Sequence, residues 1–116
     1  MNQQEKDKIV RKLIDTNTTI STMESCTSGL IASMITDTEG ASAIFPGGYV
    51  TYLNETKIFV GVDPKVIERH GVYSKECAEA MARTSRPRWA KSADRMEGAI
   101  LIMTETRPFF VVRRME

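Results

Sequence analysis

The sequence alternates apolar stripes at helical spacing with short segments rich in β-branched residues. Residues 3–15 carry such a stripe, and residues 18–24 (TTISTME) have the composition of a short strand. A second helical stripe follows over residues 30–35, and residues 99–103 (AILIM) form an apolar run that is typical of a strand. Elements that alternate in this way pack in layers, so the sequence predicts a single α/β domain over residues 1–116.

Capping residues and glycines predict where other elements begin and end. Asp63 followed by Pro64 predicts a helix start, and Gly71 predicts its stop. Ser74 predicts the cap of a helix that runs to about Thr84. Three further elements complete the prediction: a strand over residues 49–53 after Gly47-Gly48, a short helix capped by Asn54, and a last short strand over residues 109–112.

Composition and charge exclude several classes of function. Hydrophobic residues make up 41% and charged residues 27% of the 116 residues, which is typical of a globular domain. The formal net charge is +1, whereas a dedicated nucleic-acid or membrane-surface binder needs a basic excess. No apolar run approaches the roughly 18 residues of a spanning helix, and residues 1–8 are polar. We therefore expect no membrane or nucleic-acid partner and a cytoplasmic location.

Cysteine and histidine are too scarce for a metal site or a disulfide framework. Cys26 and Cys77 are the only cysteines, and His70 is the only histidine. The sequence contains neither a CxxC pair nor a Cys/His cluster, so it predicts no metal and no cofactor. Any hydrolytic chemistry is therefore expected to use a base other than imidazole.

The charge changes in sign and in residue type near position 83. Residues 1–82 hold 8 Lys+Arg and 11 Asp+Glu, whereas residues 83–116 hold 8 Lys+Arg and 4 Asp+Glu. The basic residues are mostly lysine in the first stretch and mostly arginine in the second. One interpretation is a basic tail that contacts phosphates or RNA. The other is a stretch altered by a reading-frame change or a truncation.

Ser25 lies between the first predicted strand and a helix whose first turn is predicted at Thr27-Ser28-Gly29. A residue at such a junction reaches the edge of the sheet, and the free amides of the following helix can hold a developing negative charge. The segment thus offers a nucleophile position and an oxyanion site. From the local pattern alone, a Ser/Thr cluster that only caps a helix is the favoured interpretation.

A serine nucleophile needs a base, and Lys57 is the candidate. A desolvated lysine can titrate near neutral pH, and Tyr52 can relay a proton between lysine and serine. The alternatives are a solvated surface lysine and a half-buried strand aromatic, which are the commoner roles of these residue types. We interpret Cys26 as a small buried residue and His70 as a partner of a helix end.

Several segments occur together in an order that resembles one known family. They are ESCTSG at 24–29, TDTEGASAIFPGGYVTYLNETK at 36–57, GV at 61–62, and HGVYS at 70–74 followed by Met81-Ala82. In this order, nearly without gaps over about residues 5–82, they resemble the CinA C-terminal domain family. The family contains competence/damage-inducible proteins, and the same domain occurs alone as nicotinamide-nucleotide amidase.

The resemblance implies a three-layer α/β/α sandwich that is incomplete at the C-terminus. It implies a metal-free hydrolysis of nicotinamide mononucleotide to nicotinate mononucleotide and ammonia, with a small nucleotide as partner. Family members tend to associate, so a homo-oligomer is compatible with it. Carried over by position, the catalytic residues are Ser25, Tyr52 and Lys57. The residues implied for the oxyanion and the substrate are Cys26, Thr27, Ser28, Gly29 and Thr104.

Two departures from the family pattern leave the function open. Ser28 stands where the family has the first glycine of Thr-Gly-Gly. The family also continues with a Thr-Gly-Ile-Ala-Gly-Pro loop, whereas here Thr104 is followed by residues 105–108 (ETRP) without glycine. Residues 83–116 are therefore expected to be diverged or frame-shifted. Two functions follow: an amidase, impaired by the altered end, or a catalytically inactive relative that binds a nucleotide or a partner chain.

Overall fold

The chain folds into helices and strands in the computed structural model, which describes residues 2–85, 96–103 and 108–115, the last two ranges as backbone. Thr104, predicted to line the site, lies outside these ranges. The described elements are α1 (Gln3–Asp15), β1 (Thr19–Glu24), α2 (Leu30–Thr36), a 3-10 turn (Ala41–Ala43), β2 (Gly47–Val50), α3 (Asn54–Val60), α4 (Pro64–His70), α5 (Lys75–Thr84), β3 (Met96–Met103) and β4 (Pro108–Met115).

The four described strands form one sheet in the order β2-β1-β3-β4. Strand β1 pairs in parallel with β2 and with β3, whereas β4 is antiparallel to β3. Glu24 at the end of β1 lies opposite Val50 at the end of β2. Parallel strands end at the same edge of a sheet, which is where sites form in open α/β folds. Ser25 directly follows β1 and Thr51 directly follows β2, so both residues lie at that edge.

Helices cover both faces of the sheet. Side chains of a strand point alternately to its two faces, and Ile20 and Met23 of β1 belong to two different apolar clusters. One cluster lies under α4 and α5 and contains Met23, Val62, Cys77, Ala78, Met81 and Ala82. The other lies under α1 and α2 and contains Val10, Ala41 and Ile44, with Ile20 and Ile35 packed against them. This arrangement confirms the predicted α/β/α fold class.

The predicted ends of α4 and α5 are confirmed. The Asp63 side chain accepts a hydrogen bond from the Lys65 amide at 2.9 Å, and Gly71, with φ +76°, ends α4. The Ser74 hydroxyl accepts a hydrogen bond from the Cys77 amide at 3.1 Å. Each cap satisfies an amide that has no acceptor within its own helix, and this fixes where the helix begins.

The prediction that a helix begins at Thr27 is wrong. Helix α2 begins at Leu30, and residues 26–29 form a turn. Ser28 and Gly29 have φ values of +53° and +92°. Left-handed residues cannot continue a right-handed helix, so the helix begins only after them.

Three boundaries near the later strands also differ from the prediction. Asn54 is the first residue of α3 rather than its cap, since Leu53 is the N-cap and supplies no side-chain hydrogen bond. Strand β2 ends at Val50, so Tyr52 lies in the connection to α3. Strand β4 is longer than the predicted residues 109–112, because its pairing with β3 extends over the full length of both strands.

Candidate active site

The carboxyl ends of β1 and β2 bring Ser25 and Lys57 into contact. Ser25 directly follows β1, and Lys57 lies on α3, the helix that follows β2. The Lys57 Nζ donates a hydrogen bond to the Ser25 Oγ at 3.1 Å. The two residues are 32 positions apart in the sequence, so the parallel pairing of the strands creates their contact.

Lys57 is buried and bonded to neutral oxygens. Its exposed fraction is 3%, so the interpretation as a solvated surface lysine is wrong. Its ammonium group also donates to the Thr51 carbonyl at 2.7 Å and to the Tyr52 carbonyl at 3.3 Å. With Ser25, these acceptors account for the three hydrogens of a lysine ammonium.

Burial lowers the pKa of Lys57 below its ordinary value, because removal of water disfavours the ammonium form. The neighbouring thiols of Cys77 and Cys26 act in the opposite direction and more weakly. Burial also raises the pKa of the Cys77 thiol, while Lys57 lowers it. Burial thus shifts both groups toward their neutral forms, and a lysine amine can accept a proton only in its neutral form.

The two carbonyls direct the lone pair of the neutral amine. When Lys57 loses a proton, its two remaining N–H groups can stay on the carbonyls of Thr51 and Tyr52. The third tetrahedral position, which faces the Ser25 Oγ, then carries the lone pair. This contact has the geometry that a serine nucleophile and a lysine general base would require.

Tyr52 does not bridge this pair. The Lys57 amine contacts the Ser25 hydroxyl directly, and it meets Tyr52 only at the backbone carbonyl. The Tyr52 side chain is 69% exposed, so the alternative of a half-buried strand aromatic is wrong. The expected placement of its phenol between Ser25 and Lys57 is also corrected, because these two side chains are in direct contact. The physical reason is that β2 ends two residues before Tyr52, so this side chain is not held against the sheet.

The start of helix α2 is occupied by a carboxylate from β1. The Glu24 side chain accepts hydrogen bonds from the Ile31 amide at 2.7 Å, the Ala32 amide at 3.1 Å and the Thr27 hydroxyl at 3.0 Å. The expectation that free helix amides face the reacting group is therefore wrong for these two amides. The amide of Ser28 is also bonded, to the Ser25 carbonyl at 3.0 Å.

The turn between Ser25 and α2 retains the remaining candidates for an oxyanion site. With the amides of Ser28, Ile31 and Ala32 engaged, the candidate donors of the turn include the amides of Thr27 and Gly29. Cys26 lies in the same turn and is exposed, so its interpretation as a small buried residue is wrong.

A family model of the CinA C-terminal domain matches residues 2–93. The chain belongs to the CinA C-terminal domain family. The match begins close to the expected residue 5 and extends eleven residues beyond the expected residue 82. It ends before β3, so the prediction that residues 83–116 are diverged or frame-shifted remains a prediction.

CinA-like proteins of several bacteria are similar in sequence to this domain. A CinA-like protein of Mycobacterium avium is 46% identical over 85 residues, which is 72% of this chain and 19% of the relative. A CinA-like protein of Chlorobaculum tepidum is 43% identical over 79 residues, or 67% of this chain and 19% of the relative. The chain thus spans about one fifth of the length of these relatives.

Solved structures of CinA proteins share the fold. A competence-damaged protein (CinA) superfamily protein from Escherichia coli aligns with a TM-score of 0.75 at 18% identity, covering 100% of this chain and 81% of the other. The competence/damage-inducible protein CihA from Agrobacterium tumefaciens aligns with a TM-score of 0.67 at 24% identity, covering 96% and 80%. These likenesses show that the α/β arrangement is that of the CinA superfamily.

Sequence reasoning missed two residues of this CinA site, Glu24 and Thr51. Both are buried, and Glu24 has no exposed surface. A charged residue at the end of a β-branched strand is a visible signal, because such a carboxylate is buried only when donors surround it. Thr51 contributes its backbone carbonyl, which accepts a hydrogen bond from Lys57. Every residue has such a carbonyl, so the residue type at position 51 does not indicate this contact.

Among residues 2–85, no group of three or more His, Cys, Asp or Glu side chains is placed to hold a metal ion. Within the part of the chain that the structure describes, none of the helices has the length and apolar character needed to cross a membrane.

Proposed function

We propose that this CinA domain is an amidohydrolase that converts nicotinamide mononucleotide and water to nicotinate mononucleotide and ammonia. The observation that carries the proposal is the contact of 3.1 Å between the amine of a buried Lys57 and the hydroxyl of Ser25. The resemblance to nicotinamide-nucleotide amidases supplies the substrate. We also propose a cytoplasmic location, which suits a chain whose two cysteines, Cys26 and Cys77, form no disulfide.

The proposed reaction has two stages. Neutral Lys57 takes the hydroxyl proton as the Ser25 Oγ bonds to the carboxamide carbon, and the turn amides of Thr27 and Gly29 hold the oxyanion. Lys57 returns the proton to the leaving nitrogen, which departs as ammonia and leaves an ester on Ser25. Water then attacks the ester with Lys57 as base, and the acid is released.

Tyr52 and the rest of the turn have secondary roles in this proposal. The Tyr52 backbone lies beside Lys57, so its exposed phenol would reach the reacting atoms only by turning toward them. We assign it proton relay with the bound substrate in place. Cys26 and Ser28 contribute to the substrate site as members of the turn that holds Ser25.

The test is ammonia release from nicotinamide mononucleotide. We expect turnover by the unmodified chain and a loss of about 10³-fold or more in Ser25→Ala, because the nucleophile is removed. Ser33→Ala, a change at an exposed serine of α2, is the matched control and should retain the activity. Activity that survives Ser25→Ala contradicts the proposal.

A second candidate function is a catalytically inactive CinA-like domain that binds a nucleotide or a partner chain. It is favoured by the end of the family match at residue 93 and by the absence of glycines after Thr104. Calorimetric binding of nicotinamide mononucleotide without ammonia release supports this function and contradicts the amidase.

A further inference from the structure

Glu24 is a buried carboxylate next to the nucleophile that the proposed chemistry does not use. Its side chain has no exposed surface, and three donors surround it, the Thr27 hydroxyl and the amides of Ile31 and Ala32. Hydrogen bonds to a charged acceptor are about twice as strong as neutral ones. The carboxylate therefore ties the turn that carries Ser25 to the first turn of α2.

The same residue is connected to Lys57 through the backbone. The Thr51 amide donates a hydrogen bond to the Glu24 carbonyl at 2.7 Å, which extends the contact of β1 and β2 by one residue. The Thr51 carbonyl in turn accepts the shortest hydrogen bond of the Lys57 amine, at 2.7 Å. Glu24 thus contacts the turn after Ser25 through its side chain. Through its main-chain carbonyl it also holds Thr51, whose own carbonyl binds the Lys57 amine.

We propose that Glu24 is the positioning residue of the Ser25–Lys57 pair. Glu24 fixes the distance between the Ser25 hydroxyl and the Lys57 amine, because it bonds both to the turn that follows Ser25 and to the backbone of Thr51. It does not touch the substrate. The inference rests on the proposed function only in taking this pair as the reacting one.

Gly29 explains why a carboxylate from outside the helix is needed. Gly29 is the N-cap of α2 and has no side chain to satisfy the first helical amides. A serine or aspartate at this position would be strained, because its φ of +92° is in the left-handed region. The left-handed turn that places Ser25 therefore depends on a cap from elsewhere, which Glu24 supplies.

The test measures the reactivity of Ser25 without any nucleotide. A fluorophosphonate probe reacts when the Ser25 Oγ bonds to phosphorus, fluoride leaves and Lys57 takes the proton. The second-order labelling rate is measured against pH for the unmodified chain, Glu24→Gln and Glu24→Ala, with the thermal midpoint of each. Glu24→Gln keeps an oxygen that can accept from the Thr27 hydroxyl and the Ile31 amide. It places an NH₂ group, which cannot accept, next to the Ala32 amide.

We expect labelling to slow by about ten- to a hundredfold in Glu24→Gln and further in Glu24→Ala, because a displacement of about 1 Å costs up to a hundredfold. Asn2→Ala is the matched control. It removes the cap of α1, where Asn2 accepts from the Glu5 amide at 2.9 Å, and it touches neither Ser25 nor Lys57. It should lower the thermal midpoint and leave the labelling rate unchanged.

The possible results of this test distinguish the positioning role from the proposed function. A folded Glu24→Gln chain that is labelled at the unmodified rate overturns the positioning role, and so does equal slowing in Asn2→Ala. Selective slowing at residue 24, in a chain that does not hydrolyse nicotinamide mononucleotide, supports the positioning role while the amidase proposal fails. Labelling of the unmodified chain no faster than that of the denatured chain overturns both.

Discussion

Lys57 combines burial with hydrogen bonds to neutral oxygens, and its proposed role as a base can be tested with arginine. Arginine keeps the positive charge but does not lose its proton in proteins, so it cannot act as a base. We expect Lys57→Arg to lower kcat by about 10²–10⁴-fold, the usual contribution of general-base catalysis. Lys65→Arg, at an exposed position of α4, is the control and should leave kcat unchanged. Retention of kcat in Lys57→Arg would show that another group takes the proton.

The lowered pKa of Lys57 also predicts how stability changes with pH. The unfolded chain binds a proton at the ordinary value of 10.5, whereas the folded chain releases it at a lower pH. Between these two values the unfolded state holds more protons, so the free energy of unfolding rises with pH. Below the folded pKa, the full cost of the buried ammonium is present.

This rise is measured by urea unfolding of the unmodified chain and of Lys57→Met over the same pH range. The raised pKa of Cys77 acts in the opposite direction as the pH rises through 9.0. Cys77 is present in both chains, and the loss of the Lys57 charge raises the pKa of Cys77 further in the variant, which lowers the stability of the variant at high pH and so changes the difference in the same direction. The difference in the free energy of unfolding, unmodified chain minus variant, should therefore increase toward pH 10.5. A flat or falling difference would be inconsistent with a desolvated Lys57.

At the scale of the elements, Gly48 of β2 lies opposite Thr22 of β1 with no room for a side chain. A Cβ at this position would overlap the Thr22 hydroxyl and lie 2.9 Å from the Thr22 carbonyl oxygen. We expect Gly48→Ala to destabilise the fold by about 1–3 kcal/mol, the usual cost of overpacking. Adding Thr22→Ala should recover part of this loss, because it removes the hydroxyl but not the carbonyl. Chemical denaturation of the unmodified chain and of the two variants measures both effects, and an unchanged midpoint in Gly48→Ala would contradict the contact.

The elements whose signals are local could be predicted from the sequence. Asp63 and Ser74 cap their own helices, so their short-range patterns sufficed to place α4 and α5. Helix α2 begins later than the local pattern predicts, because its N-cap Gly29 has no side chain and its first amides bond instead to Glu24 of the preceding strand, seven and eight positions away. Side chains that act across a turn in this way leave no fixed spacing in a sequence.

The candidate site was predictable in its residue types but not in its geometry. Ser25 and Lys57 come from segments whose order resembles a known family, and parallel pairing explains why they meet. The direct bond between them could not be foreseen, because it depends on where β2 ends. That end places the carbonyls of Thr51 and Tyr52, rather than a phenol, around the Lys57 amine.

At the scale of the whole molecule, the family match and the sheet do not end at the same residue. The match to the CinA C-terminal domain ends at residue 93, whereas β3 and β4 lie beyond it and make up two of the four described strands. Strand β1 pairs with β3 from Thr19 to Thr22. Residues 96–103 and 108–115 therefore contribute to the same sheet that positions Ser25, and the stability of the domain should depend on them.

This dependence can be tested by truncation and by one substitution in β3. A chain of residues 1–93 would leave β1 with an unpaired edge, and such edges associate with other chains. We expect it to lose a cooperative thermal transition by circular dichroism and to form larger species in size-exclusion chromatography. Ala99→Pro should have the same effect in the full chain, because Ala99 lies opposite both Thr22 and Val112 and proline lacks the amide that a central strand donates. A monomeric, cooperatively folded 1–93 chain would instead show that β1 and its helices are sufficient for the fold.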